Sequence, residues 1–402
     1  MSTTWWPVGE RAEFISPATI VSGRGSSAGL ANVLEKRLRL PSGADVFLAV
    51  DDVVHELGAL APMLTSVEAA GYRVTLVGGF GAEPDDAVVN GAAEVARRTG
   101  ADVVIGVGGG SVMDAAKLIA LLVRNDGEAS DWVGLVDPPA GIAPLVLVPT
   151  TCGTGSEATR AAMVTIGGSK RICASAMFVP DAVVLDPSLI DGLPGHIVAA
   201  TGMDALSHAV EAMLSTDRSP MSVHHARQAI SLLIENLESA VARDADARAA
   251  CLWAAHLSGQ ALNAGVLVGH SIAYCLAHEV HRPHGVLSGL AMPYVIAFNA
   301  RGVPDECARA LAEALTGGAT DDLSAAAASV MDLLGRLGLP RTLDDLQVEP
   351  GAEQRLADQC VREYPRRNNP VAMTGESMRS VFETMRTGDL ARLGVLDAVG
   401  SD

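Results

Sequence analysis

Aromatic side chains are scarce in this 402-residue chain: Phe, Tyr and Trp together make up 3% of it. Apolar residues still reach 49%, so the core must be built from small aliphatic side chains, and a disordered chain is excluded. Basic residues are few, 29 against 47 acidic, for a net charge of −18. That field excludes nucleic acid and anionic membrane surfaces as partners, because both need a basic footprint. An anionic small molecule would need a local cluster of Arg, Lys or His. The six cysteines (152, 173, 251, 275, 307 and 360) show no C-x-x-C spacing. They read as free thiols in a reducing compartment rather than as a disulfide framework. Long uninterrupted apolar runs are missing too; the nearest, 103–123, carries Asp114, Lys117 and several glycines. Met1-Ser2-Thr3-Thr4-Trp5-Trp6-Pro7 has neither the basic nor the apolar region of a secretory leader. The expectation is a cytoplasmic protein with no membrane partner.

What is present falls into two rhythms. From about residue 14 to 187, short apolar runs alternate with helical stretches. Strands are expected at 45–50, 73–77, 102–107, 145–148, 162–166 and 182–185, with helices over 53–70, 85–98 and 111–123. Alternation at these lengths predicts βαβ units and a mostly parallel sheet covered on both faces. After Asp186-Pro187 the pattern is helical, broken at Ser219-Pro220, Arg282-Pro283 and Val303-Pro304. The expected organisation is an α/β domain over 1–187 and an all-α domain over 188–402. One or two helices are expected beyond Pro350, and Arg366-Arg367-Asn368-Asn369-Pro370 reads as an exposed loop.

Two loops in the first half are dense in glycine and hydroxyl groups. Gly106-Val107-Gly108-Gly109-Gly110-Ser111 follows an expected strand and opens an expected helix, where backbone N–H groups and the helix N-terminus suit a phosphate. A tight βα turn needs glycine for steric reasons alone, and the run matches neither the P-loop nor the common dinucleotide fingerprint. The second loop, Pro149 to Glu157, suits hydrogen bonding to a nucleotide, or simply caps the following helix.

In the second half, Asp204 and His208 are spaced i, i+4 and share one helix face. His270 and His284 bracket a segment ending in Arg282-Pro283-His284-Gly285. Three imidazoles and one carboxylate suit a divalent transition metal, Fe(II) as well as Zn(II). The plainer reading is a helix-terminal Asp with unrelated histidines.

Taken together, these pieces resemble the iron-containing (group III) alcohol dehydrogenase family along nearly the whole chain. The matching residues are Phe14-Ile15-Ser16-Pro17, Gly23-Arg24-Gly25, GGGSVMDAAK at 108–117 and PTTCGTGSE at 149–157. They continue with Pro180-Asp181, Leu185-Asp186-Pro187, GMDALSHAVEA at 202–212, His270 and Pro283-His284-Gly285. The resemblance implies a nucleotide-binding α/β domain and a helical metal domain holding Fe(II), or Zn(II), on Asp204, His208, His270 and His284. It implies pyrophosphate contacts from Gly108, Gly109, Gly110 and Ser111, and a nicotinamide side lined by Thr150, Thr151 and Thr154. Asp114 and Lys170 become further cofactor contacts. Asp51, ending the first βα strand, would accept the adenosine ribose hydroxyls and repel a 2′-phosphate, favouring NAD(H) over NADP(H). The reaction implied is direct hydride transfer between an aldehyde and a primary alcohol, in a homodimer or larger assembly.

The chain departs from the family at two places. Many members carry a second His four residues after the third ligand, where this chain has Tyr274, a different proton relay. Tyr there also looks like the branch of hydroxyacid–oxoacid transhydrogenases, and His278 or His281 is a substitute shuttle or a surface group. Ala261 stands where simple-alcohol members often have a bulky aromatic, suggesting a roomier cavity. With Arg160, His278, His281 and Arg282 as neighbours, the expected substrate bears an anionic group, a carboxylate or phosphonate such as phosphonoacetaldehyde; alternatively, Arg160 makes a structural ion pair. More remote readings are a dehydroquinate-synthase-like lyase and a non-catalytic nucleotide-binding protein.

Overall fold

The computed structural model describes residues 13–393. Two compact units meet at the Leu193/Pro194 junction, beyond the expected break at 187/188, and Phe14 groups with the second unit, its ring stacked on that of His225.

The first unit, residues 15–193, is built on nine strands. They are β1 (Ile20–Ser22), β2 (Asp45–Val50), β3 (Arg73–Val77), β4 (Val103–Gly108), β5 (Gly134–Leu135), β6 (Leu145–Pro149), β7 (Ala161–Ile166), β8 (Ser169–Ala174) and β9 (Ala182–Leu185). Six of them form one all-parallel sheet in the order β1-β9-β6-β4-β2-β3. The pleat of β2 sends Val46, Leu48 and Val50 into one core and Phe47 and Ala49 into the other. Both faces are therefore dry, which is why the central strands read as continuous apolar runs. A smaller sheet, β5-β8-β7, holds the antiparallel β7/β8 hairpin, whose second strand the polar stretch Ser169-Lys170-Arg171 conceals from sequence patterning.

Two further differences are local. The single helix expected over 53–70 is two, Asp52–Glu56 and Ala61–Ala69, because Gly58 turns the chain at φ +72°. The short β1 strand and the Leu30–Lys36 helix, with no marked periodicity, were not anticipated.

The second unit is helical, as the sequence implies. Its centre is the Gly195–Leu214 helix, every residue of which is buried from Gly202 to Leu214. The Val268–Ala277 and His284–Asn299 helices pack near it, and the tail adds Glu353–Glu363 and Gly375–Thr387. The Arg366–Pro370 segment is a clamp, not the free surface loop expected. Asn369 exchanges hydrogen bonds with Asn299, while Asn368 donates to Ser215 Oγ and the Ala264 and Val266 carbonyls. Among the described residues no helix is long and apolar enough to cross a membrane.

Candidate functional site

In the first unit the parallel sheet aligns three loops along one strand edge. Val50 of β2 is level with Val107 of β4, and Gly108 of β4 with Pro149 of β6. Backbone bonds carry the alignment into the loops: Asp51 N donates to Val107 O at 2.9 Å, and Thr150 N to Gly108 O at 3.0 Å. Asp51, Gly108 and Thr150 thus follow the C-terminal ends of neighbouring strands, the edge where open α/β sheets bind ligands. The Gly110–Arg124 helix begins with no side-chain cap on its first turn, leaving N–H groups open to an anion. Gly110 is required there because a Cβ would lie 2.7 Å from Thr154 Cγ2. Thr151 is half-buried beside Gly109, and Thr150 is buried.

Several expected cofactor contacts are already engaged within the protein. Asp51 Oδ1 caps the Asp52–Glu56 helix through Val53 N and Val54 N. Ser111 Oγ donates to Ala82 O. Lys170 lies on exposed β8, ion-paired to Glu83 at 3.1 Å. Asp114 turns inward: Oδ1 accepts from Ser156 Oγ at 2.5 Å and Oδ2 from Met163 N at 2.9 Å. Behind it, fully buried Lys117 donates to Ser156 O, Ser156 Oγ, Thr159 Oγ1 and Ala161 O. Burial pushes the lysine pKa down, against the pull of Asp114 and Glu157. This cluster ties the second polar loop to the helix that opens at the first. Both Asp114 oxygens are thus engaged within the fold.

In the second unit three of the four expected metal residues converge. One donor atom each from Asp204, His270 and His284 lies within 4.8 Å of the others. His208, one turn beyond Asp204, stacks on His270 at 4.8 Å between ring centroids but is not among the three that converge most closely. The same helix face continues to Glu211, giving a buried i, i+4, i+7 row of Asp204, His208 and Glu211. Glu211 Oε2 accepts from His270 Nδ1 at 2.6 Å, and its two oxygens also take the Leu267 and Gly269 N–H groups at 2.7 Å each. Gly269 cannot carry a side chain, since a Cβ would lie 2.6 Å from Glu211 Oε1. Ser288, one turn into its own helix, donates to Asp204 Oδ1 at 2.9 Å.

The protonation states suit a cation. Burial drives the His208 pKa down to about 4, leaving a neutral ring with a free lone pair. Burial raises the pKa of Asp204, but His208, His284, His270 and Ser288 outweigh it and the carboxyl stays ionised below its ordinary range. Glu211 is lowered likewise, by His270 and the Leu267 N–H against burial. His208 Nδ1 and His270 Nε2 are buried with no hydrogen-bond partner, a costly arrangement unless a ligand occupies the space. Nitrogen and carboxylate donors with an outer carboxylate holding one imidazole fit a divalent transition metal.

Around this pocket stand residues with different degrees of involvement. Tyr274 stacks on His284 at 5.5 Å and meets His270 edge-on at 6.3 Å. Burial raises its pKa, so it keeps its hydroxyl proton. Tyr364 packs against Tyr274 at 5.3 Å, and the ring of the exposed His278 bonds the Tyr364 hydroxyl at 3.1 Å. His281 and Arg282 are exposed, and Ala261 is fully buried. Arg160 belongs to the first unit, exposed at the foot of β7, with no ion pair among the described residues. Sequence reasoning passed over Glu211, Lys117 and Arg366. The heptad-like spacing Asp204–His208–Glu211 was the available signal for the first.

Comparisons with known proteins place the chain in a family. The family model described as iron-containing alcohol dehydrogenase matches residues 17–187, and that of the C-terminal part of the Fe-containing alcohol dehydrogenase family matches 198–386. The chain is 34% identical over 331 residues to a probable alcohol dehydrogenase EutG of Salmonella typhimurium, covering 80% of this chain and 83% of that protein. A crystal structure of a 1,3-propanediol oxidoreductase superposes with a TM-score of 0.87 at 29% identity, covering 94% of this chain and all of that one. Sulfoacetaldehyde reductase from Bifidobacterium kashiwanohense, solved in complex with NAD+, gives 0.85 at 27% identity over 95% of this chain and all of that one. With both units matched, the chain belongs to the iron-containing alcohol dehydrogenase family, a family of oxidoreductases.

Proposed function

We propose that the chain is a metal-dependent NAD(H) oxidoreductase that interconverts an aldehyde and a primary alcohol by direct hydride transfer. The observation that carries this is the convergence of Asp204, His270 and His284 around the unpartnered His270 Nε2, in a chain whose other unit presents an uncapped glycine-rich helix N-terminus. Asp204, His208, His270 and His284 hold the metal, Fe(II) ahead of Zn(II). When bound, the ion polarises the substrate oxygen and stabilises the charge that develops on it. Glu211 fixes the His270 tautomer. Tyr274 offers an O–H donor at the pocket wall. The Gly108–Ser111 backbone holds the pyrophosphate, Thr150, Thr151 and Thr154 line the nicotinamide side, and Asp51 sets the preference for NAD(H). A homodimer or larger assembly belongs to the same reading.

The substrate is an aldehyde bearing an anionic group, a reading supported by the likeness to a sulfoacetaldehyde reductase and by Arg366 beside Tyr274. An NADH-consumption screen over neutral and anionic aldehydes, with Fe(II), Zn(II) or chelator, tests it. Activity should require metal and vanish in His270→Ala; equal rates after chelation would overturn the metal mechanism.

Tyr274 favours a second reading, a hydroxyacid–oxoacid transhydrogenase that keeps its nucleotide. Release of NAD after each turnover and kinetics that are not ping-pong would remove it.

A further inference from the structure

The Arg366 side chain is a cation held beside the candidate metal pocket from inside the helical unit. Its guanidinium carbon lies 5.8 Å from the centre of the Tyr274 ring, whose other neighbours include His284 and His270. Nε donates to Ser271 Oγ at 3.0 Å, and that hydroxyl in turn donates to Tyr364 O at 2.6 Å. Ser271 directly follows the ligand His270, so the guanidinium is referenced to the pocket. The Asn368 and Asn369 bonds immobilise the backbone just beyond it.

No carboxylate among the described residues pairs with this guanidinium. Glu211, whose carboxylate feels the Arg366 charge, has its oxygens taken by His270 Nδ1, Leu267 N and Gly269 N. The Nη groups therefore form an unclaimed fork, half-buried over an aromatic ring. A half-buried guanidinium with no contact ion pair among the described residues is unfavourable, and its geometry matches planar or tetrahedral oxyanions. Charge counting points the same way. A divalent ion offsets Asp204 and Glu211, and Arg366 leaves one positive charge over, in a protein whose overall field repels anions.

We infer that Arg366 is the specificity-determining residue of this enzyme, binding the terminal oxyanion of a short aldehyde while the carbonyl end faces the metal ligands. This deepens the anionic-substrate reading above and rests on it. It moves the anion-binding role from Arg160 to a residue in the unit that carries the pocket. Carboxylate, sulfonate and phosphonate share the recognising chemistry, so the test carries one arm for each.

Steady-state kinetics on the metal-loaded enzyme compare butanal with succinate semialdehyde, and propanal with sulfoacetaldehyde and phosphonoacetaldehyde. The wild type should prefer the anionic member of a pair in kcat/KM by about tenfold or more, and Arg366→Gln should collapse that ratio mainly through KM. Arg366→Lys should retain part of it, since charge survives but the fork does not. Arg367→Gln, an exposed neighbour outside the pocket, should leave the ratio alone. A second readout is free of turnover: calorimetric binding of propane-1-sulfonate to the Zn(II)-loaded protein should weaken about tenfold or more in Arg366→Gln. Equal losses on neutral and anionic aldehydes would mean a structural role and overturn the inference. So would an unchanged ratio, or a wild type with no anionic preference, although aldehyde reduction itself would then stand. If no aldehyde is reduced, the functional reading fails, and the sulfonate titration alone decides for or against Arg366.

Discussion

Glu211 Oε2 accepts a hydrogen bond from His270 Nδ1 at 2.6 Å, with both side chains buried in the helical unit. A proton fixed on Nδ1 leaves the Nε2 lone pair facing Asp204 and His284. Glu211 also accepts the Leu267 and Gly269 N–H groups, so one carboxylate both selects the tautomer and anchors the start of the helix that carries His270.

Glu211→Gln should therefore weaken metal binding without unfolding the protein. The expected loss is about 10–100-fold in affinity, read by competition with a chromophoric chelator. An unchanged affinity would show that His270 needs no outer carboxylate.

Lys117 makes the second buried constellation, with four acceptors around one ammonium group at 2.6–3.1 Å. Lys117→Met leaves those acceptors and Asp114 without their cation. The cost should be about 3–5 kcal/mol in urea denaturation at an unchanged m-value. The KM for the nucleotide should rise with it, because the Thr150–Ser156 loop loses its tether.

Asp186 closes the first unit. Its carboxylate accepts from Gly25 N, Ser27 N, Ser27 Oγ, Ser188 N and Ser188 Oγ. Burial opposes ionisation, but the Ser188 and Ser27 bonds prevail and hold the pKa below its ordinary 3.8. A depressed carboxylate contributes stability that is fully present above its unfolded pKa and lost as pH falls through the folded one. Asp186→Asn should cost about 1.5–3 kcal/mol at neutral pH. The gap between variant and wild type should narrow below about pH 4, where the unfolded-state carboxyl begins to protonate, and be lost as pH falls through the lower native pKa. A gap that stays constant down to pH 2 would sink this account.

Asp51 caps a helix through Oδ1, and in the proposed reading its second oxygen accepts from the ribose. Asp51→Ser preserves the cap while removing the charge. The NADPH-to-NADH ratio of kcat/KM should rise by about tenfold or more. A ratio that does not move would place cofactor choice elsewhere.

Much of this was legible in the chain. Alternating apolar runs foretold the parallel sheet, because strands buried on both faces cannot hide their hydrophobicity. The i, i+4 pair Asp204/His208 was legible because one helix carries it. Ser169–Ala174 was not, since a hairpin strand exposed on its outer face reads as polar loop. Arg366–Pro370 looked like loop for the same compositional reason, and only its packing makes it a clamp.

The sequence by itself determined the fold class and the family, and it singled out the candidate metal donors, all of which rest on local periodicity and short motifs. Tertiary structure decided which of the motif residues are engaged in holding others. Asp114 and Lys117 lie in the most recognisable motif yet point into the fold, while Glu211 and Arg366 lie in unremarkable stretches yet reach the pocket. The reason is that donors and acceptors more than fifty residues apart, such as Glu211 with His270 and Arg366 with Ser271, are paired by helix packing. No spacing along the chain encodes that packing.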